Sequence, residues 1–305
     1  PFLGVGMFDC CICLGRFDDA EGLLEQWPGE APDGQADLLR ADLAILRGRI
    51  DIASELLARR KPSERPWNPL YKLASPLPGV RPIMLALRQG RLAKALATAR
   101  ELQDHLWLAY LNLRTGRHVE AAEDARKAYE RARRDGCFGE QAWALQLRGH
   151  AELATGNAEA AQGTITDLEA CVGRSPIGNH VRHLLFLKGS IESQKGRPGD
   201  AARLQEQAIG LLPGESWCQE SWNQAFFYER LAETRLTAGD LAGAEAAYRK
   251  IQALPLSRLG CGDIYVLSHY NCGRIAELRN DRAGAEGDFR TFLELWNDAD
   301  PGLPE

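Results

Sequence analysis

One six-residue phrase, recurring along nearly the whole chain, limits what this sequence can fold into. A glycine is followed by Arg, Asn or Asp, then by three variable positions, then by alanine. It reads Gly15-Arg16…Ala20, Gly48-Arg49…Ala53, Gly90-Arg91…Ala95, Gly116-Arg117…Ala121, Gly156-Asn157…Ala161, Gly196-Arg197…Ala201 and Gly239-Asp240…Ala244. A further copy has asparagine in place of glycine, Asn280-Asp281…Ala285. Glycine just past a helix end adopts the left-handed conformation that satisfies the last carbonyls without a Cβ penalty, and asparagine is its usual substitute. A small alanine about one turn later lets the next helix lie close to the previous one. Apolar residues around the phrases keep helical spacing, as in Leu231, Ala232, Ala244, Tyr248 and Ile251. Each copy predicts helix, tight turn, helix.

Successive turn positions lie 33, 42, 26, 40, 40, 43 and 41 residues apart. Periods of that size belong to stacked helix pairs, and strand-like alternation is nowhere sustained. The expected fold is all-α, a right-handed α-solenoid of about eight stacked units, each hiding its apolar side against its neighbours. The irregular intervals of 42 and 26 straddle prolines 62, 66, 69, 76, 78 and 82, too dense to stay inside helices. The expected organisation is therefore N-terminal units over 1–61, a Pro-rich loop or kink over 62–82, and a longer array over 83–305. The first helix of the third unit is expected to be short and to begin near Pro82, a favoured first-turn residue.

With 45% hydrophobic and 26% charged residues in 305, the chain is not of the disordered class. A net charge of −5 argues against nucleic acid as a partner. No apolar run approaches the ~20 residues of a membrane-spanning helix, so no membrane span is expected. The apolar opening Phe2–Phe8 has no basic residue before it and meets Asp9 at once, which is unlike a signal peptide. Beginning at Pro1 and ending at Glu305 without an evident closing helix, the chain reads as a processed product or a piece of a longer polypeptide. A cytoplasmic location is favoured for this segment. A periplasmic or extracellular one stays open if a longer parent carries a signal or membrane segment.

Chemistry-bearing motifs are few. The cysteines at 10, 11, 13, 137, 171, 218, 261 and 272 are too sparse for a disulfide scaffold. The run Cys10-Cys11-Ile12-Cys13 lacks the spacing of a metal site, so buried, reduced thiols are expected. Gly4-Val5-Gly6 lacks the third glycine of a dinucleotide fingerprint and the strand before it. His180 and His183 stand one helical turn apart with no third ligand nearby, which points to a solvated or capping role. Arg126, Lys127, Arg131, Arg133 and Arg134 read as a solvated face near a helix C-terminus, with an acidic-partner patch as the sharper alternative. No catalytic residue, cofactor or metal ligand is expected.

The repeat resembles the tetratricopeptide repeat, most clearly over Asn223–Pro255 and Asp263–Pro301. There, Ala238–Glu245 and Phe292–Pro301 are similar to C-terminal repeats of large bacterial signalling proteins. Units near 40 residues are longer than the roughly 34 usual for that family. The resemblance implies that the first helix of each unit lines a concave face. Its register would place Tyr110, Trp143, Gln146, His150, His183, Phe186, Glu229, Glu233, Tyr270 and Arg274 toward that groove. Aromatics mixed with Arg and a few polar groups suit peptide capture. The implied function is a non-enzymatic scaffold binding a protein or peptide. A self-assembling structural role through uncapped solenoid ends is the alternative. An enzyme or ligand-sensing module with a small-molecule pocket in the groove is a third reading.

Overall fold

The structure, a computed structural model, describes residues 2–26, 35–59, 80–212 and 223–301. Most of the expected Pro-rich loop, residues 62–79, lies outside the described residues. The helices are α1 Phe2–Cys13, α2 Phe17–Glu25, α3 Gln35–Leu46, α4 Ile50–Ala58, α5 Arg81–Arg88 and α6 Leu92–Glu101. They continue with α7 His105–Arg114, α8 His118–Arg134, α9 Phe138–Ala154, α10 Ala158–Arg174, α11 Val181–Gln194 and α12 Pro198–Ile209. The last are α13 Gln224–Thr237, α14 Leu241–Ala253, the single turn α15 Ser257–Gly260, α16 Gly262–Leu278 and α17 Arg282–Leu295. No strand occurs among the described residues. As expected, α5 is short and carries Pro82 in its first turn.

The repeat phrase has a single local explanation. Gly15, Gly48, Gly90, Gly116, Gly156, Gly196 and Gly239 all have φ between +69° and +77°, and Asn280 takes φ +60°. At Gly116, for example, the glycine amide donates to Leu113 O at 3.3 Å and the Arg117 amide to Asn112 O at 2.9 Å. These are the two hydrogen bonds of a Schellman turn, and the same pattern recurs at every copy. The residue after the turn also starts the next helix. Where it is Asn157, Asp240 or Asp281, its side chain accepts from the amide three residues on, at 2.8–3.0 Å. The alanine that closes each phrase is buried in all eight copies, fully so in the first seven.

The described chain divides into two compact units. One comprises Leu92–Leu212 and Phe226–Tyr248. Within it α7 to α12 pack in chain order, each against the next, and α7 with α9, and α9 with α11, also touch as first helices of consecutive pairs. Its core includes Leu145, Leu168 and Leu187, all fully buried. Gly149 allows the close approach of α9 and α11, because a Cβ there would run into the Leu187 side chain.

The other unit comprises Pro1–Arg91, Pro213–Ala225 and Arg249–Glu305. Here the solenoid expectation that contacts stay between neighbouring units is exceeded, since early and late helices share one core. Helix α16 packs on α5, and α15 packs on both α3 and α5. Arg258 Nη1 donates to the Leu46 carbonyl at 3.2 Å, and the Asp300 amide to the Gly90 carbonyl at 3.1 Å. Arg91 pairs with Asp298. Between α3 and α5 the buried Arg81 grips Asp42 through two hydrogen bonds of 2.7 and 2.6 Å, a planar fork on a carboxylate.

The cysteines depart from expectation. Cys171, Cys261 and Cys272 are buried thiols, whereas Cys10 and Cys137 are exposed and Cys11 is half-buried. Cys13 is disulfide-bonded rather than a free thiol. Bond formation depends on how Cβ atoms approach in space, which spacing along the chain does not encode.

Candidate functional site

The residues expected in the groove begin on α7, which starts at Asp104. The Asp104 carboxylate accepts from the Leu106 and Trp107 amides at 3.1 and 3.3 Å and fixes the helix entry. Helix α7 supplies Tyr110. Helix α9 supplies Trp143, Gln146 and His150, which are three, four and seven residues apart and so share one face. Helix α11 adds His183 and Phe186. The ring of Phe226 on α13 lies 5.1 Å from Trp143, 5.4 Å from His150, 6.1 Å from Phe186 and 6.4 Å from Tyr110. Phe227 lies 4.4 Å from Phe186 and 5.7 Å from His183. Tyr110, Trp143, Gln146, His150, His183, Phe186 and Glu229 are consequently all buried. At these seven positions the first-helix face is a packed seam, covered by α13 of the same chain. Aromatic groups set at complementary spacings on four helices bury more area against each other than against water.

The polar members of the seam are held inside it. His183 Nδ1 and Gln146 Oε1 are 2.5 Å apart. Burial pushes the His183 imidazole well below its usual range, with the Arg182 and His180 charges adding to the fall. Burial does the same to His150, assisted by Arg230. Both rings are therefore neutral near pH 7. His180 is also buried, with Nδ1 2.7 Å from Ser175 Oγ, so the expected solvated role for His180 and His183 is corrected. The sequence places the pair at a helix start, where exposure is common, but His180, closing the 3₁₀ turn Gly178–His180, and His183 on α11 are both buried.

Charged pairs edge this seam. Arg114 donates to Glu229 at 2.7 Å, and Arg230 to Glu233 at 2.8 Å while its guanidinium stands 5.6 Å from the Phe226 ring centre. Glu233 keeps 43% of its side chain exposed. Tyr270 and Arg274 belong to the other unit. There Tyr270 meets Phe292 at 5.2 Å and Phe289 at 5.8 Å, and the exposed Arg274 lies 6.0 Å from its ring centre. The structure thus brings eight of the ten residues into one unit and two into the other.

Sequence reasoning missed an open cleft between α10, α11 and α12. It has a volume of about 390 Å³ and a floor that includes Ile165, Ile191 and Leu204. Lys188, Lys195, Arg203, Glu192 and Asp200 stand at its rim. Their charges are paired among themselves or with neighbours at the surface, as Lys195 with Glu192 at 3.2 Å and Arg203 with Asp200 at 3.3 Å. Exposed pairs of this kind contribute ~0–1 kcal/mol and exchange readily for a partner's charges. A helix-spaced apolar residue flanked by Lys and Glu is too common a pattern to have flagged it. In the basic run on α8, Arg126 bonds Glu123 and Glu130, Lys127 pairs with Glu123 and Arg131 with Glu140 of α9, while Arg133 and Arg134 are exposed. Among the described residues no group of His, Cys, Asp and Glu is placed to hold a metal ion. No helix among them is long and apolar enough to cross a membrane.

No family model matches the chain, and no curated protein matches it. Solved structures do. A tetratricopeptide repeat protein from Parabacteroides merdae is 17% identical with a TM-score of 0.40, the match covering 87% of this chain and 98% of that one. A Rap protein complexed with Competence and Sporulation Factor is 12% identical with a TM-score of 0.43, covering 97% of each chain. Likenesses at this level carry no ligand or partner across. The chain's own eight turns, with their buried alanines, make it an all-α helical repeat.

Proposed function

We propose that the chain is a non-enzymatic scaffold that holds a protein or peptide segment on its helical-repeat surface. The observation that carries this reading is the α10–α12 cleft, a trough of side-chain dimensions with an apolar floor and a rim of both charge signs. That combination gives a peptide both burial and orientation. The concave-face seat is the second reading, and it narrows to the accessible members of its set: Glu233 beside Arg230, and separately Tyr270 beside Arg274. The buried seven act beneath it as a rigid floor. Self-assembly through the solenoid ends, α1 and α17, stays the alternative reading.

The test is a pull-down in which partners recovered by the intact chain are compared across two sets of surface variants. Lys188→Glu, Lys195→Glu and Arg203→Glu together reverse the cleft rim. Glu233→Lys, Tyr270→Ala and Arg274→Glu together alter the concave-face seats. Loss with the first set supports the cleft, and loss with the second set moves the seat to the first-helix face. A partner retained by both would remove both seats.

A further inference from the structure

Arg88, in the last turn of α5, keeps 5% of its surface exposed, and its Nε and Nη1 have no hydrogen-bond partner. Its guanidinium carbon stands 4.3 Å from the ring centre of Tyr265 on α16. Arg258 on α15 is the second cation on that ring, at 5.3 Å. It is half-buried, spends Nη1 on the Leu46 carbonyl, and leaves Nε without a partner. All of these residues belong to the unit formed by the early and late parts of the chain.

Asp42 holds Arg81, Asp288 holds Arg249 and Asp298 holds Arg91, and among the described residues no carboxylate forms an ion pair with Arg88 or Arg258. A buried charge left without a counter-charge is costly, and two like charges sharing one ring raise that cost. The face of Tyr265 attracts each cation but offers no pair of oxygens to the fork of N–H groups. Losing the proton is no remedy. Burial pulls Arg88 down to about 10, with Tyr265 opposing the fall and the Arg258 charge adding to it, so the group stays charged at neutral pH. A Cβ at Gly262 would come within 2.8 Å of Arg88 Cα, so α5 and α16 are in close backbone contact at this point.

We infer that Arg88 and Arg258, gathered on the ring of Tyr265, bind a phosphate-type dianion. Two guanidiniums match two negative charges, and their planar forks match the tetrahedral oxygens better than a single ammonium would. The ligand approaches from the half-exposed Arg258 side and completes the coordination of the buried Arg88.

The experiment melts the full chain in chloride buffer with inorganic phosphate added up to about 20 mM at constant ionic strength, since a ligand of the folded state raises Tm by mass action. Phosphate is expected to raise Tm by about 2–4 °C in a saturable way. Acetate, a monoanion, is expected to give a clearly smaller shift. Arg258→Gln, at a half-exposed position, should fold and lose most of the phosphate effect. Arg88→Met should lose all of it while being no less stable than the parent in chloride, because a lone buried charge has been removed. If Arg88→Met fails to fold, Arg258→Gln decides. A phosphate effect no larger than that of chloride, a shift retained by Arg258→Gln, or acetate matching phosphate would each overturn the assignment.

Discussion

Phe226→Ala is the perturbation that most directly tests the packed seam. Phe226 is fully buried and its ring lies 5.1–6.4 Å from four ring partners on α7, α9 and α11. Truncating a buried Phe costs about 3–5 kcal/mol, from lost transfer energy and the cavity left behind. Each geometrically matched ring pair adds ~0.5–1.5 kcal/mol, but partial collapse of the seam recovers some of this. The expected loss is about 4–6 kcal/mol, a large share of the ~5–15 kcal/mol that holds a typical domain together. Phe226→Leu, which keeps most of the volume, should cost under about 2 kcal/mol. Val119→Ala, at a position 72% exposed, should change stability by no more than ~0.5 kcal/mol. Urea unfolding gives the midpoint and slope for all three, and hydrogen exchange of the α9 amides reports where protection is lost. Should Phe226→Ala cost no more than Val119→Ala, with α9 protection intact, α13 does not cover the seam and the account of the site fails.

Gly116→Ala should cost about 1 kcal/mol, from the left-handed φ alone, since a Cβ there meets nothing. Gly90→Ala should cost about 2–4 kcal/mol, because a Cβ there also lies 2.7 Å from Ala299 Cβ and 3.0 Å from the Trp296 ring; thermal unfolding compares the two. Asn280→Gly, at φ +60°, should raise stability by up to ~1 kcal/mol in the same assay. Burial, helped by Asp42, lifts Asp9 from 3.8 to about 7, so the folded chain holds more protons than the unfolded one in that window. Asp9 therefore makes stability fall as pH rises from about 4 to 7, by at most ~4 kcal/mol, and Asp9→Asn should flatten the profile. His150 and His183 act in the opposite sense, their folded values lying below 6.5. Their contribution is intact above pH 6.5 and is lost as pH falls below it, so unfolding midpoints of His183→Gln should decline less toward acid than those of the parent.

The elements of the fold were largely legible because their causes are local. A left-handed residue, a Schellman pair of hydrogen bonds and a closing alanine all lie within about ten residues, so Gly15 through Asn280 marked every turn between paired helices. The candidate groove was legible only in part. The 3.6-residue period put Trp143, Gln146 and His150 on one face, and they do share it. The same period says nothing of what lies opposite that face, and Phe226, more than seventy residues later, fills it. The cleft was hidden for the same reason, since Ile165, Ile191 and Leu204 come from three helices.

By itself, then, the sequence determined that this chain is a series of helix pairs, because turn chemistry and amphipathic period act over short distances along the backbone. Tertiary structure alone decided which first-helix side chains are covered, that α15 and α16 pack on α3 and α5, and that Arg88 and Arg258 meet on Tyr265. Those outcomes depend on desolvation and on groups brought together from far along the chain, as Arg258 and the Leu46 carbonyl are across 212 positions. Burial is a property of the whole packed arrangement, and no short window of residues contains it.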